Sequence, residues 1–75
     1  MILTIVQLKR IAEAGGGLSL DASLFTFNQL ADIVEAVAVG AKGSISLRNV
    51  AGLNAMQLAE LAELAPGLVS FEISG

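Results

Sequence analysis

A chain of 75 residues, 55% hydrophobic and only 15% charged, has room for one domain, and domains this short struggle to bury enough apolar surface alone. It has no cysteine and no histidine, which excludes disulfides and the usual zinc ligands. Its net charge of -3 argues against nucleic acid as a partner, and no apolar run reaches the roughly 18 to 20 residues of a membrane-spanning helix. The surplus apolar surface therefore predicts a protein partner, including another copy of the chain.

Three predicted helices begin with the same short motif. The pentapeptides TIVQL, TFNQL and NAMQL each place a good N-cap residue three positions before a glutamine, which is the pattern of a capping box. Apolar residues then follow at the spacing of one helix face. The predicted N-caps are Thr4, Thr26 and Asn54. The predicted helices end at Gly15, Gly40 and Gly67.

A short alternating segment follows each of these glycines: LSLD at 18–21, ISLR at 45–48 and VSFEI at 69–73. Alternation of apolar and polar residues is typical of a strand with one buried face, and strands linked by helices pair in parallel. We therefore predict an α/β fold of three helix-strand repeats in one domain, with units at 1–21, 22–48 and 49–75. These units are predicted to form a short solenoid with a parallel sheet and the helices layered on one face. Three unrelated amphipathic elements in a small α/β domain are the alternative.

The segments LSLDASL and ISLRNVAGL, each followed by a helix, resemble leucine-rich repeats of the ribonuclease-inhibitor type. The resemblance covers 17–67 and concerns spacing more than particular residues. Such repeats favour asparagine or cysteine at a fixed point after the strand; here only Asn49 lies near that point, and Ala22 or Ser23 stands in the earlier copy. The resemblance implies a binding or scaffold role, and no site residue of the family can be carried over.

The first predicted unit begins with a helix and the last ends with a strand, so the two ends are expected to complement each other. Head-to-tail stacking would then make a filament, or a ring if it closes. It would bring Glu60 near Arg10 of the next copy, and Glu72 unfavourably near Asp21. A closed dimer, or a piece of a longer solenoid, are the alternatives. The predicted self-association residues are Ile2, Leu3, Ile5, Val6, Arg10, Glu60, Val69, Phe71 and Ile73.

A second prediction is a small leucine-rich-repeat-like module that binds another protein through the exposed strand face. Arg48 is expected there to bridge the carboxylates of Asp21 and Glu72. The predicted partner face comprises Ser19, Asp21, Ser46, Arg48, Ser70 and Glu72.

Catalysis is not predicted, because the chain lacks histidine, cysteine, tyrosine and tryptophan and with them the commonest catalytic bases and nucleophiles. The glycine-rich stretches at 15–17 and 40–44 precede strands, opposite to the order of a phosphate-binding loop, and are read as connectors. No cofactor or metal is expected. The N-terminal residues do not resemble a secretory signal, so the predicted location is the cytoplasm, with export by another route left open.

Overall fold

The computed structural model describes residues 4–73, and within them three α-helices alternate with three β-strands. The helices are α1 (Ile5–Glu13), α2 (Phe27–Gly40) and α3 (Ala55–Leu64), and the strands are β1 (Leu18–Asp21), β2 (Ile45–Arg48) and β3 (Val69–Phe71). A short 3₁₀ turn follows each of the first two strands, at Ala22–Leu24 and Val50–Gly52.

The strands form one sheet in the order β1-β2-β3, and both pairings are parallel. The register places Ser19, Ser46 and Ser70 in one row across the sheet. The apolar residues before and after each serine point to the other face, where Ile45 and Leu47 are fully buried. The predicted α/β class and the parallel sheet are therefore confirmed.

One hydrophobic core joins the apolar face of the sheet to the helices. The middle helix, α2, contributes most to it, because its buried side chains cover a wide stripe while α1 and α3 each bury a narrower one. The α2 residues in the core are Leu30, Ile33, Val34, Ala36 and Val37. The long middle helix thus packs between α1 and α3.

Each helix begins with the predicted capping box. In α2 the Thr26 hydroxyl accepts a hydrogen bond from the backbone N–H of Gln29 at 3.2 Å, and the Gln29 side-chain oxygen accepts one from the backbone N–H of Thr26 at 2.9 Å. The same two bonds form between Thr4 and Gln7 in α1 and between Asn54 and Gln57 in α3. Each box satisfies two N–H groups that the first turn of a helix leaves without intrahelical partners.

Replacing Thr26 with alanine is expected to lower the free energy of unfolding by about 1 kcal/mol, because the N–H of Gln29 loses its acceptor. Thr26→Asn keeps a side-chain acceptor and is the matched control, with an expected loss in unfolding free energy of only a few tenths of a kcal/mol. Urea unfolding of the two variants compares them. Equal losses in both would contradict the capping role.

The helix ends differ from the prediction in two places. Gly40 is still helical, and the left-handed residue that ends α2 is Ala41, with φ 56°. The third helix ends at Leu64, before Gly67, because Pro66 disfavours helical geometry in the residue before it; Ala65 accordingly has φ -142° and ψ 72°. Gly40 has a different role, in the packing of α2 against α1.

The sequence distance from the start of β1 to the start of β2 is one residue shorter than the distance from the N-cap of α2 to the N-cap of α3. Ile45 lies 27 positions after its sheet partner Leu18, whereas the cap Asn54 lies 28 after the cap Thr26. The extra residue is Asn49, which takes a left-handed conformation with φ 57° between β2 and the second 3₁₀ turn. Asparagine tolerates this conformation better than most residues, so the two turns still align.

Candidate functional site

One side of the helices is exposed to a different extent in α1 than in α2 and α3. The positions three, seven and ten residues after the N-cap lie on this side, which we call the leading flank. It is covered in α2, where Ile33 and Ala36 are buried, but in α1 the equivalent positions are exposed and Ile11 leaves 38% of its surface accessible. The leading flanks comprise Gln7, Ile11 and Ala14 in α1, Gln29, Ile33 and Ala36 in α2, and Gln57, Leu61 and Leu64 in α3.

The other side of each helix shows the reverse trend. The positions one, five and eight residues after the N-cap form what we call the trailing flank. Ala12 in α1 and Val34 in α2 are buried there, whereas Ala55 and Ala59 in α3 are exposed. The trailing flanks comprise Ile5, Lys9 and Ala12 in α1, Phe27, Ala31 and Val34 in α2, and Ala55, Ala59 and Ala62 in α3.

A close contact shows which way the flanks face. Gly40 continues the leading flank of α2, and a methyl group built on it would overlap the carbonyl oxygen of Ala12, a residue of the trailing flank of α1. The leading flank of α2 therefore faces α1, and the trailing flank of α1 faces α2. In α3 the burial of Leu61 on the leading flank agrees with the same orientation. Within residues 4–73, the leading flank of α1 and the trailing flank of α3 have no helix against them.

The predicted self-association residues fall into three groups. Val6 and Ile73 are 68% and 70% exposed, and Arg10 and Glu60 are also exposed. Ile5, Val69 and Phe71 are partly buried against the chain's own core. Ile2 and Leu3 lie outside the described residues. The sequence analysis did not identify Ile11 or the three alanines of α3 as self-association residues. The i, i+4, i+7 spacing of the three alanines is nevertheless visible in the sequence.

The serine face of the sheet carries a hydrogen-bond network that differs from the predicted ladder. Arg48 donates a hydrogen bond to the hydroxyl of Ser19 at 3.1 Å and does not bridge Asp21 and Glu72. The carboxylate of Asp21 instead accepts from the Ser23 hydroxyl and backbone N–H, and from the Asn49 side chain at 2.9 Å. The carboxylate is already held by neutral donors from both 3₁₀ turn regions, which removes the need for an arginine partner.

These donors lower the pKa of Asp21 below its ordinary value of 3.8, the Ser23 hydroxyl having the largest effect and Asn49 the next. Hydrogen bonds to the ionised form favour it, and the charge of Arg48 contributes least. Since the folded-state pKa lies below the unfolded one, ionised Asp21 stabilises the fold above the unfolded value. That contribution is lost as the pH falls through the folded-state value.

We expect Asp21→Asn to be less stable than the parent chain at pH 7, and the difference between the two to shrink as the pH falls below 3.8. Urea unfolding of both chains across the acid range measures it. Ser70→Ala, which removes a hydroxyl of the same sheet face, is the control and has no such pH dependence. A difference that is constant from neutral to acid pH would contradict the assigned role of the carboxylate.

A cleft of about 240 Å³ lies where β3 ends, beside the start of α3. Its walls mix apolar side chains with the polar Asn49 and Glu72. Two of the apolar residues differ in exposure: Val50 is buried, whereas Ile73 is 70% exposed. The lining residues are Asn49, Val50, Ala51, Leu53, Leu58, Glu72 and Ile73.

The described part of the chain shows no cluster of three or more acidic side chains able to hold a metal ion. Its helices are all too short or too polar to cross a membrane, as far as residues 4–73 show. The chain matches no protein-family model, and comparison with curated proteins and with solved structures finds no similar protein.

Proposed function

We propose that this protein is a structural or scaffold protein that assembles from copies of itself, its helix-strand units stacking head to tail as a short solenoid continued from molecule to molecule into a filament or ring. One observation carries the proposal. The flank positions that are covered in the middle helix are uncovered at the two ends, on opposite sides: the leading flank in α1 and the trailing flank in α3. Two unlike, complementary end surfaces are what a heterologous interface requires.

The helix layer within one chain supports a proposed packing for such a junction. Ile33 of α2 is fully buried on the side that faces α1, and Leu61 of α3 is fully buried on the side that faces α2. At a junction, Ile11 of a second copy takes the equivalent place against the trailing flank of α3. That flank carries only alanines, and their small side chains permit the close approach of another helix.

The sheet supplies the second layer of the junction. Within the described residues, β1 and β3 each pair with one neighbour, so each has an open edge. Open edges of parallel strands accept further strands, and β1 of a second copy can pair with β3. Val69 and Phe71 of β3, which are only partly buried, then gain apolar neighbours of the kind that already cover Ile45 and Leu47.

Charges at the junction adjust its register and contribute little affinity. Glu60 and Arg10 are exposed at equivalent positions of α3 and α1, so they approach each other, whereas Glu72 approaches Asp21 unfavourably. Exposed pairs of either kind are worth at most about 1 kcal/mol and are screened by salt. Apolar contact between the flanks and pairing of the strands therefore supply the binding free energy.

The solenoid interpretation is supported by the recurrence of one unit in the fold. A strand, a 3₁₀ turn, a capping box and a helix follow each other twice in the same order, and the strands pair residue for residue. This arrangement agrees with the leucine-rich-repeat-like architecture that the sequence suggests, and it favours a scaffold over an enzyme.

Sedimentation velocity over a wide range of concentration, followed by electron microscopy of the concentrated protein, tests the proposal. The mass is expected to rise with concentration in steps of the 7.7-kDa chain. It should continue to rise beyond the dimer unless a ring closes. A folded protein that stays monomeric at the highest concentration would contradict it.

The second candidate function is binding of another protein through the serine face of the sheet. It is favoured by one observation: Ser19, Ser70 and Arg48 are exposed on that face, whereas most parallel sheets are covered on both faces. A persistently monomeric chain whose Arg48→Ala variant loses a protein ligand would favour this candidate.

A further inference from the structure

The cleft beside the start of α3 has the size and lining of a side-chain socket. Its volume of about 240 Å³ is below the roughly 300 to 1,000 Å³ of typical small-molecule pockets. Leu53, Leu58 and Val50 give it an apolar wall. One or two apolar side chains of a polypeptide fit such a space better than a metabolite does.

The chain repeats a particular residue at the equivalent of this place. The residue just before the N-cap is Phe25 in front of α2 and Leu53 in front of α3, and both are partly buried against the core. Both have extended backbones, and their N–H groups close the preceding 3₁₀ turn by bonding to the carbonyls of Ala22 and Val50. The residue at this position in front of α1 is Leu3.

Thr4, the N-cap of α1 and the residue that follows Leu3 in the sequence, lies far from the cleft of its own molecule. The cleft lies beside the start of α3, and α2 packs between α1 and α3. Packed helices are about 8 to 10 Å apart, so the cleft is roughly two helix spacings from Thr4. A second copy whose α1 packs on the trailing flank of α3 brings its own N-cap, Thr4, beside the N-cap of α3, and Leu3 precedes Thr4 in the sequence as Leu53 precedes Asn54.

We infer that the cleft formed by Asn49, Val50, Leu53, Leu58 and Ile73 receives the apolar segment Met1 to Leu3 of a second copy, with Leu3 as the anchoring side chain. The inference rests on the proposed head-to-tail assembly and specifies its third layer, at the carboxyl ends of the strands. It also covers Ile73, which is 70% exposed in the single chain.

Cysteine crosslinking tests this directly, because the natural chain has no cysteine. A Leu3→Cys chain is mixed with an Ala51→Cys chain, Ala51 being an exposed residue of the cleft, and the mixture is oxidised. The control partner is Val39→Cys, which is 73% exposed near the far end of α2. Mass spectrometry is expected to find the mixed disulfide with Ala51→Cys at least about tenfold in excess over the one with Val39→Cys.

A second variant measures the affinity of the socket. Leu3→Asp is expected to raise the dissociation constant of self-association about tenfold to a hundredfold, the factor expected when one leucine side chain loses its burial, and Leu3→Met to change it little. If the parent chain associates but Leu3→Asp associates equally well and crosslinking shows no preference, the cleft has another occupant, such as residues that follow Ile73, and this inference is wrong while head-to-tail assembly stands. If the parent chain is monomeric throughout, both fail.

Discussion

Replacing Ala59 with arginine is expected to weaken self-association at least about a hundredfold, a change of about 2.7 kcal/mol in binding free energy, without unfolding the chain. Ala59 is the central residue of the trailing flank of α3 and is exposed, so the single chain has room for the larger side chain. Arginine is almost as good a helix former as alanine. At a junction, however, its long charged side chain stands where Ile11 of the next copy packs and prevents the close approach of the two helices.

The matched control for this prediction is Met56→Arg, on the same helix. Met56 is 73% exposed and lies on the outer side of α3, away from both flanks. Met56→Arg adds the same charge as Ala59→Arg but lies away from the flanks. The dissociation constant of this variant should therefore stay within about threefold of the parent value. Sedimentation measures association, and circular dichroism checks that both variants stay folded. Equal weakening by both variants would mean that net charge, and not the trailing flank, governs association.

Replacing Gly40 with alanine is expected to lower the free energy of unfolding by about 3 kcal/mol. The added methyl group would overlap the carbonyl oxygen of Ala12 and lie 3.0 Å from that of Glu13 and 3.1 Å from the N–H nitrogen of Gly15. These are backbone atoms, so relief requires α1 and α2 to move apart, which opens the core between them. A domain of this length has roughly 4 to 11 kcal/mol of stability in total, so the loss is a large part of it.

Gly52→Ala is the control with the opposite expected sign. A methyl group on Gly52 meets no atom within 4 Å, and its backbone is not left-handed. Alanine there restricts the unfolded chain and should stabilise the fold by up to about 1 kcal/mol. Urea unfolding of the two variants gives both values. A loss in Gly40→Ala no larger than about 0.5 kcal/mol would contradict the close packing of α1 on α2.

The elements set by local chemistry were predictable from the sequence. The three capping boxes depend on residues three positions apart, and β1 and β2 on four-residue alternations, so all of them occur where the pattern predicts them. The third strand is shorter than predicted. Glu72 still donates its N–H to the carbonyl of Leu47, but Ile73 is largely exposed, and the strand ends at Phe71.

Features that depend on distant neighbours were not predictable in the same way. Gly40 has the sequence of a helix stop, but it is required where two backbones touch, and only the packed fold shows that contact. Arg48 has two acids at suitable sequence positions, but the amide of Asn49 and the hydroxyl of Ser23 already hold Asp21. The direction in which each helix flank faces also depends on tertiary packing, so the spacing of the alanines around Ala59 is visible in the sequence, but the sequence does not show that Ala59 and Ile11 are exposed.

Mixing two variants, each blocked at one end, tests the central claim most directly. Ala14→Arg blocks the leading flank of α1, and Ala59→Arg blocks the trailing flank of α3; both residues are exposed, and both changes are the same. Each variant alone should sediment as the 7.7-kDa monomer. In an equimolar mixture, the unblocked α3 end of the first variant can bind the unblocked α1 end of the second, so a heterodimer of twice that mass should form. Nothing larger should form, because both outer ends of the heterodimer are blocked. A mixture that stays monomeric although the parent chain assembles, or a variant that dimerises by itself, would contradict head-to-tail assembly through these two flanks.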